Sequence, residues 1–298
     1  MSSWQAIRRR EYFRDPRARV VVHREVRQLP MSQHRHEFFE IVLILSGSGI
    51  HITGDFRHRL EAGDVLVVDP RRAHGYEDTR GLNLVNILVR SDLLPRIARD
   101  LGGLPGFHAL FTLAAVRWRQ SSYSSRLRLS PSDMRQAGEW IDQMEEETRR
   151  GAQGGHLLAE AYLMLTVGLL ARCYAKASPR REERSGSRLG RLLGWIEMHL
   201  AEPLTIARLA DESGMSVRSF HRHFREGVGE TPTAYVLRQR IRRAAEILRA
   251  EPVAGLVGVA SRCGFDDPNY FSRVFRARMG CAPREYVLSA SKSRLRRG

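Results

Sequence analysis

His34, His36 and Glu40 lie at even spacings along one short stretch, and His74 follows further on. On a β-strand alternate side chains point the same way, so positions 34, 36 and 40 project from one face. Two imidazoles and a carboxylate on one face, joined by an imidazole from another strand, are the ligand set of a divalent metal site. The same four groups can also form a hydrogen-bonded polar cluster without an ion, and residue types alone leave both open. Either way such groups are costly to bury unless a metal, a polyol or ordered water satisfies them. A sugar's hydroxyls both donate and accept, which suits imidazoles and a carboxylate.

A second chemistry lies between Leu204 and Tyr286, where one pattern occurs twice. The first copy reads Ala210, Gly214, Ser216, Phe220, Phe224, Gly229, Pro232, Tyr235, and the second Ala260, Gly264, Asp267, Phe271, Phe275, Gly280, Pro283, Tyr286. Such a repeat marks a duplicated structural unit. A small Ala lets two helices approach, a Gly makes the turn between them, and an aromatic locks the second helix onto the first. Thr205 can cap a helix through about Asp211, and Ser216 the next to about Glu226. Asp267 is a good cap and Pro268 suits the first helical position. In each copy Phe residues at i and i+4 bury one face. The other carries Arg218, Ser219, His221, Arg222 and Arg225, or Asn269, Ser272, Arg273 and Arg276. Arg and Asn are the side chains that read guanine and adenine edges in the major groove. Two copies in register, joined by a helix over about Thr233–Arg249, point to a DNA-reading unit rather than to two solvated hairpins. Gly255 and Gly258 fall in the short helix before Gly264. Glycine costs up to roughly 1 kcal/mol in a helix interior, so this helix is expected to fray.

The elements that must position the first set are strands. Val20–Val26 starts one, and Phe38–Leu45 is a buried apolar strand. Gly47-Ser-Gly49 reads as a hairpin turn into Ile50–Thr53, Gly54-Asp55 as a turn into Phe56–Leu60, and Glu61–Asp64 as a turn into Val65–Val68. Leu82–Val89 is a further strand. Strands at this spacing suggest a small antiparallel barrel or sandwich. Ser130-Pro131 opens a helix that ends before Gly151, and a second, apolar almost all round, runs from about His156 to Ala175. That helix either covers its own barrel or uses Leu158, Tyr162, Leu165 and Leu169 as a dimer seam.

With 298 residues, 42% of them hydrophobic, the chain can form two ordinary domains with real cores. The expected layout is residues 1–175 as a β-domain with packing or dimerisation helices, 176–187 as linker, 188–288 as an all-α domain with two helix-turn-helix units, and 289–298 as a basic tail. The formal charge is +16, and 47 of the 49 basic residues are Arg. An Arg-rich genome accounts for Arg over Lys but not for the sign, for which phosphate affinity is the simplest cause. Met1–Asp15 lacks a signal peptide's apolar core. The longest strongly apolar run, Ala161–Leu170, falls short of the ~20 residues of a membrane span. Cys173, Cys263 and Cys281 lack metal-ligand spacing, so reduced thiols and a cytoplasmic location without membrane partners are expected.

Residues 188–288 resemble the DNA-binding domain of the AraC/XylS family of bacterial transcription regulators. The resemblance rests on Leu209-Ala210, Gly214-Met-Ser216, Gly229-Glu-Thr-Pro232, and above all Gly264-Phe-Asp-Asp-Pro-Asn-Tyr-Phe-Ser-Arg-Val-Phe275 and Gly280-Cys-Ala-Pro283. It implies that the two helices enter adjacent major-groove segments, with base contacts from Arg218, His221, Arg222, Asn269, Ser272 and Arg273. The His34-x-His36-x3-Glu40 run, with Gly47 and then Gly63, Pro70 and His74, resembles the cupin motifs, which implies a small β-barrel. Gln33–Ile41, Gly47–His51, Gly63–Tyr76 and Asn83–Arg90 are similar to the sensing domain of the rhamnose-operon activators. That likeness implies a monosaccharide-like effector held by His34, His36, Glu40, His51, His74 and Tyr76, a homodimer, and RNA polymerase as a partner. The favoured function is an effector-responsive, sequence-specific transcription regulator, not an enzyme. The rival is a metal-dependent cupin enzyme, a sugar isomerase or dioxygenase, holding its ion with His34, His36, Glu40 and His74. Non-specific nucleic-acid compaction explains the charge but not the paired recognition helices.

Overall fold

The structure, a computed structural model, describes residues 5–7, 9–70, 72–113, 126–176 and 183–288. The chain divides into two compact units, Met1–Gly194 and Trp195–Gly298. The expected basic tail, 289–298, and residues 177–182 of the expected linker lie outside the described residues.

The first unit is built on one eight-stranded sheet. Its strands are β1 (Gln5–Ile7), β2 (Val20–Glu25), β3 (Met31–His36), β4 (Phe38–Thr53), β5 (Phe56–Glu61), β6 (Asp64–Val68), β7 (His74–Arg90) and β8 (Arg126–Arg128). The order is β1-β3-β7-β4-β6-β8, with β2 also on β7 and β5 also on β4. All pairs are antiparallel except β1–β3, a parallel contact that the expected all-antiparallel barrel did not include. The spine is β4 against β7, paired from Phe38 with Arg90 to Ile52 with Gly75. Alternation along these strands sorts the core. Ile41, Leu43, Val65, Val67, Val85 and Ile87 face the helices. Val42, Ile44, Leu60, Leu66, Val68, Leu82 and Leu84 pack against one another on the opposite face. The described helices cover the first face, so burial of the second requires the sheet to curl over itself, as a barrel does.

The hairpin expected at Gly47-Ser-Gly49 is not there. β4 continues through it as a strand of 16 residues, and its register against β7 slips between Ile44 and Ile50. Gly47 has φ +79°, and a Cβ there would overlap the Gly81 carbonyl of β7. The glycine therefore serves a bulge and a close backbone approach rather than a turn. The bulge separates the half of β4 that pairs with β6 from the half that pairs with β5. Likewise β7 begins at His74, well before the expected Leu82.

Among the described residues the helices of this unit are α1 (Arg9–Tyr12), α2 (Leu94–Leu101), α3 (Pro105–Phe107), α4 (Pro131–Arg150) and α5 (Gly155–Lys176), with a π-helical turn at His108–Leu113. Ser130 caps α4, its Oγ accepting from the Asp133 N–H at 3.2 Å. Ala137, Ile141 and Met144 of α4, with Ala159, Leu163, Val167 and Leu170 of α5, join the sheet core. By length and composition α5 could cross a membrane, which corrects the expectation drawn from its shorter central run. Yet its inner face lies in the core, and its buried Glu160 accepts from Arg19 at 2.8 Å and Arg96 at 3.0 Å. That is how a core helix of a folded domain is built.

The later helices are α6 (Glu183–Met198), α7 (Ile206–Glu212), α8 (Val217–Val228), α9 (Pro232–Ala250), α10 (Leu256–Arg262) and α11 (Pro268–Met279). α6 starts at Glu183, inside the expected linker, rather than at Arg188. The placement of two glycines inside α10, on which its expected fraying rested, is also corrected. Gly255 is its N-cap, outside the helix, and only Gly258 lies within.

Candidate functional site

Two sites take shape, one in each unit. In the sheet, His34 and His36 lie on β3, and a bend at Glu37 separates them from Glu40 on β4. The three therefore do not share one strand, as their spacing had suggested. Glu40 still returns to the inner face, because it has the parity of Val42 and Ile44. β7 supplies His74 opposite His34, and Tyr76 opposite both Met31 and His51. All six candidate effector residues are buried, Glu40 to 6% exposure and His74 to 1%.

The Glu40 Oε2 atom is the centre of the cluster. It lies 3.3 Å from His74 Nε2 and 3.6 Å from His36 Nε2. None of these three buried atoms makes a hydrogen bond. His36, Glu40 and His74 each offer a ligand atom within 4.8 Å of the others, a group that does not include His34. The proposed four-ligand set thus reduces to three. His34 sits beside it, its ring 4.5 Å from that of His74, with Nδ1–H donating to the Ser32 carbonyl at 3.2 Å. His51 Nε2 lies 3.3 Å from His74 Nδ1. Burial, with His58 and Arg72 nearby, pushes His51 down to about 3. Burial also holds His74 well below the usual imidazole range and lowers His34. Near pH 7 these rings are neutral and able to accept a hydrogen bond or bind an ion. The donor set of two imidazoles and one carboxylate fits a divalent metal.

In the helical unit both copies of the repeat take the expected form. Thr205 caps α7, and Ser216 caps α8 by accepting from the Ser219 N–H at 3.4 Å. Asp267 caps α11 by accepting from the Asn269 N–H at 2.8 Å. Gly214 and Gly264 make the inter-helix turns at φ +65° and +79°. Ala210 and Ala260 are buried where the helices meet, and Phe220, Phe224, Phe271 and Phe275 are buried beneath α8 and α11. Arg218, His221, Arg222 and Arg225 of α8 are exposed, as are Asn269, Arg273 and Arg276 of α11. Ser219 and Ser272 are only half-exposed. Ser272 Oγ donates back to the Pro268 carbonyl at 2.9 Å, and Ser219 Oγ lies 3.2 Å from His223 Nδ1.

Two residues were not singled out from sequence. Tyr270 lies under the Arg273 guanidinium, 5.4 Å from ring centre to Cζ, and an aromatic three residues before an Arg on a helix was the available signal. His58 stands opposite His51 in the β4–β5 ladder, and its parity with buried Leu60 gave it away.

This architecture defines a class: a ligand-binding sheet domain joined to a pair of DNA-binding helix-turn-helix units. Residues 20–167 match the family model of the AraC-like ligand-binding domain, and residues 209–289 that of a helix-turn-helix domain. Over 275 residues the chain is 30% identical to the HTH-type transcriptional activator RhaS of Escherichia coli O1:K1 / APEC, covering 92% of this chain and 94% of that protein. The crystal structure of an AraC-type transcriptional regulator from Chromobacterium violaceum is 28% identical, with a TM-score of 0.34 over 36% of this chain and 95% of that one. The DNA-binding domain of AdpA in complex with a target DNA is 32% identical, with a TM-score of 0.35 over 37% of this chain and 98% of that one. The protein belongs to the AraC family of DNA-binding transcription regulators.

Proposed function

We propose that the protein is an effector-responsive activator whose sheet domain senses a small polyhydroxylated molecule and sets how two recognition helices occupy promoter DNA. One observation carries this reading: a chain with two helix-turn-helix units also buries a His/Glu cluster with unsatisfied polar atoms. A monosaccharide of the rhamnose type is the favoured effector, supported by similarity to RhaS along nearly the whole chain. His34, His36, Glu40, His51, His74 and Tyr76 would line its chamber. A sugar isomerase or dioxygenase would have no use for the duplicated DNA-reading unit.

In this reading Arg218, His221, Arg222, Asn269 and Arg273 face base edges, and Arg225 and Arg276 add phosphate contacts. Ser219 and Ser272 contribute less, because their hydroxyls are engaged with their own helices. The protein works in the cytoplasm as a homodimer and recruits RNA polymerase. Supporting the dimer, Leu157, Leu158 and Leu165 of α5 remain exposed. Leu157 and Leu165 border a groove of about 550 Å³ that Leu93, just before α2, and Ile97 and Leu101 within it help to line. Tyr162 and Leu169, the other two residues of the expected seam, pack toward the core.

The test is the change in DNA affinity when sugar is added to the full chain. His36→Ala and Glu40→Ala should abolish that change while leaving sugar-free DNA binding intact. A normal response from both variants would put the effector elsewhere. Leu165→Glu should convert a sedimenting dimer to monomer; a wild type already monomeric at tens of micromolar contradicts the dimer.

A further inference from the structure

Three buried ligand atoms converge at the centre of the sheet domain, and none of them makes a hydrogen bond. His36 Nδ1 lies 2.6 Å from the Phe38 carbonyl oxygen. A carbonyl can only accept, so Nδ1 carries the proton. With Nδ1 committed to that carbonyl, Nε2 is the ring nitrogen left to face Glu40 Oε2, at 3.6 Å. His74 Nε2 approaches the same oxygen at 3.3 Å, while its Nδ1 is held by His51 Nε2 at 3.3 Å. In both rings one nitrogen is anchored and the other is aimed at the carboxylate, which is how metal-ligating histidines are oriented. Among the described residues no Arg or Lys pairs with the buried Glu40; its only ion-pair partners are these two imidazoles. Ligand atoms at ~2.0–2.2 Å from a shared ion stand roughly 3–4 Å apart, which matches the contacts of Glu40.

We infer that His36, Glu40 and His74 hold a divalent first-row transition-metal ion, of the kind represented by Zn²⁺ or Mn²⁺. Two nitrogen ligands favour such ions over Ca²⁺ and Mg²⁺, which take all-oxygen shells. His34 stays outside the coordination sphere, because its ligand atoms do not join the group of three. The inference deepens the reading of the sheet domain as an effector chamber, since an ion there gives effector hydroxyls an electrophilic anchor. Ion binding itself does not depend on that reading, and its failure would leave a metal-free sugar site standing.

The test uses the untagged full chain, stripped with a chelator and titrated calorimetrically with Zn²⁺, Mn²⁺ and Ca²⁺. Wild type should bind one Zn²⁺ or Mn²⁺ per chain and Ca²⁺ at least about tenfold more weakly. His36→Ala and the isosteric Glu40→Gln should each weaken Zn²⁺ binding by at least about 100-fold, while His34→Ala changes it less than about threefold. Co²⁺ should give a visible d–d absorption in wild type that Glu40→Gln lacks. Melting provides an independent reading. Without metal, Glu40→Gln should melt at or above wild type, because it removes an uncompensated charge; with Zn²⁺ the order should reverse. Fewer than about 0.1 ion per chain, or equal Zn²⁺ binding by wild type and Glu40→Gln, overturns the inference. The cluster is then a proton-sharing Glu–His pair, or the ion binds adventitiously elsewhere.

Discussion

In the first helix-turn-helix unit the Phe220 and Phe224 rings lie 5.4 Å apart, and Phe224 and Tyr235 5.7 Å apart. In the second, Phe271 and Phe275 lie 5.7 Å apart, and Phe275 and Tyr286 5.4 Å apart. All four contacts are edge-to-face, the arrangement aromatic quadrupoles prefer. The pattern of aromatic contacts is thus repeated, while what surrounds it is not. Gly214 has open space where a Cβ would go, whereas a Cβ on Gly264 would overlap the Leu200 carbonyl and meet the Arg240 guanidinium at 2.7 Å. Arg240 is fixed there by donating to the Leu200 and Glu202 carbonyls. On the outer face, Ser219 occupies the position in the first copy that Tyr270 holds in the second. Packing fixed the interior of both copies; the exposed faces diverged, as expected if each reads a different sequence.

The largest expected effect tests the asymmetry of the turns. Gly214→Ala should cost about 1–2 kcal/mol for its left-handed backbone alone. Gly264→Ala should cost about 3 kcal/mol or more, because overpacking adds to that strain. Denaturant unfolding of the full chain measures both, and equal losses would erase the proposed difference.

Arg222 and Arg273 hold equivalent places on α8 and α11. If both contact bases, replacing either with Ala should weaken specific DNA binding by roughly 1–3 kcal/mol and random DNA binding by less. Equal losses on both DNAs would reassign them to phosphates.

Smaller effects separate the units further. Gly258 lies inside α10 with no left-handed φ and nothing near its missing Cβ. Gly258→Ala should therefore stabilise the protein by about 0.5–1 kcal/mol, seen as a raised melting temperature. A loss of stability would mean that the glycine serves a contact outside the folded helix. Tyr270→Leu should weaken specific DNA binding by about 0.5–1 kcal/mol, while Tyr270→Phe, which keeps the ring face, should not. The loss should vanish when Arg273 is already Ala; if it persists, Tyr270 acts on its own.

The contrast between copies also shows what sequence can reveal. The repeat was legible because Ala, Gly, Phe and Tyr recur at fixed offsets dictated by local helix geometry. Even spacing also put Glu40 on the same face as His34 and His36, although the bend at Glu37 moves it to another strand, and His51 and Tyr76 entered only through the resemblance to the sensing domain. The uninterrupted course of β4 was not legible. Gly47-Ser-Gly49 has the composition of a hairpin, and the reason it is a bulge is Gly81, on a strand distant in sequence. His34 was grouped with His36 by spacing, yet the Ser32 carbonyl and the bend at Glu37 set it apart. The fraying expected of α10 counted Gly255 as an interior residue, and a one-residue shift of the boundary makes it a cap. Each miss turned on a tertiary neighbour or a boundary, which composition does not encode.

Under the proposed function, two recognition helices in one chain read two different stretches of DNA. The most direct measurement selects duplexes from a random-sequence library with the full chain, and repeats the selection with Arg222→Ala and with Arg273→Ala. Wild type should enrich duplexes carrying two preferred blocks about one helical turn, ~10 base pairs, apart. The Arg222 variant should lose preference in one block and the Arg273 variant in the other. No enrichment by wild type, or an unchanged motif with both variants, would contradict the claim.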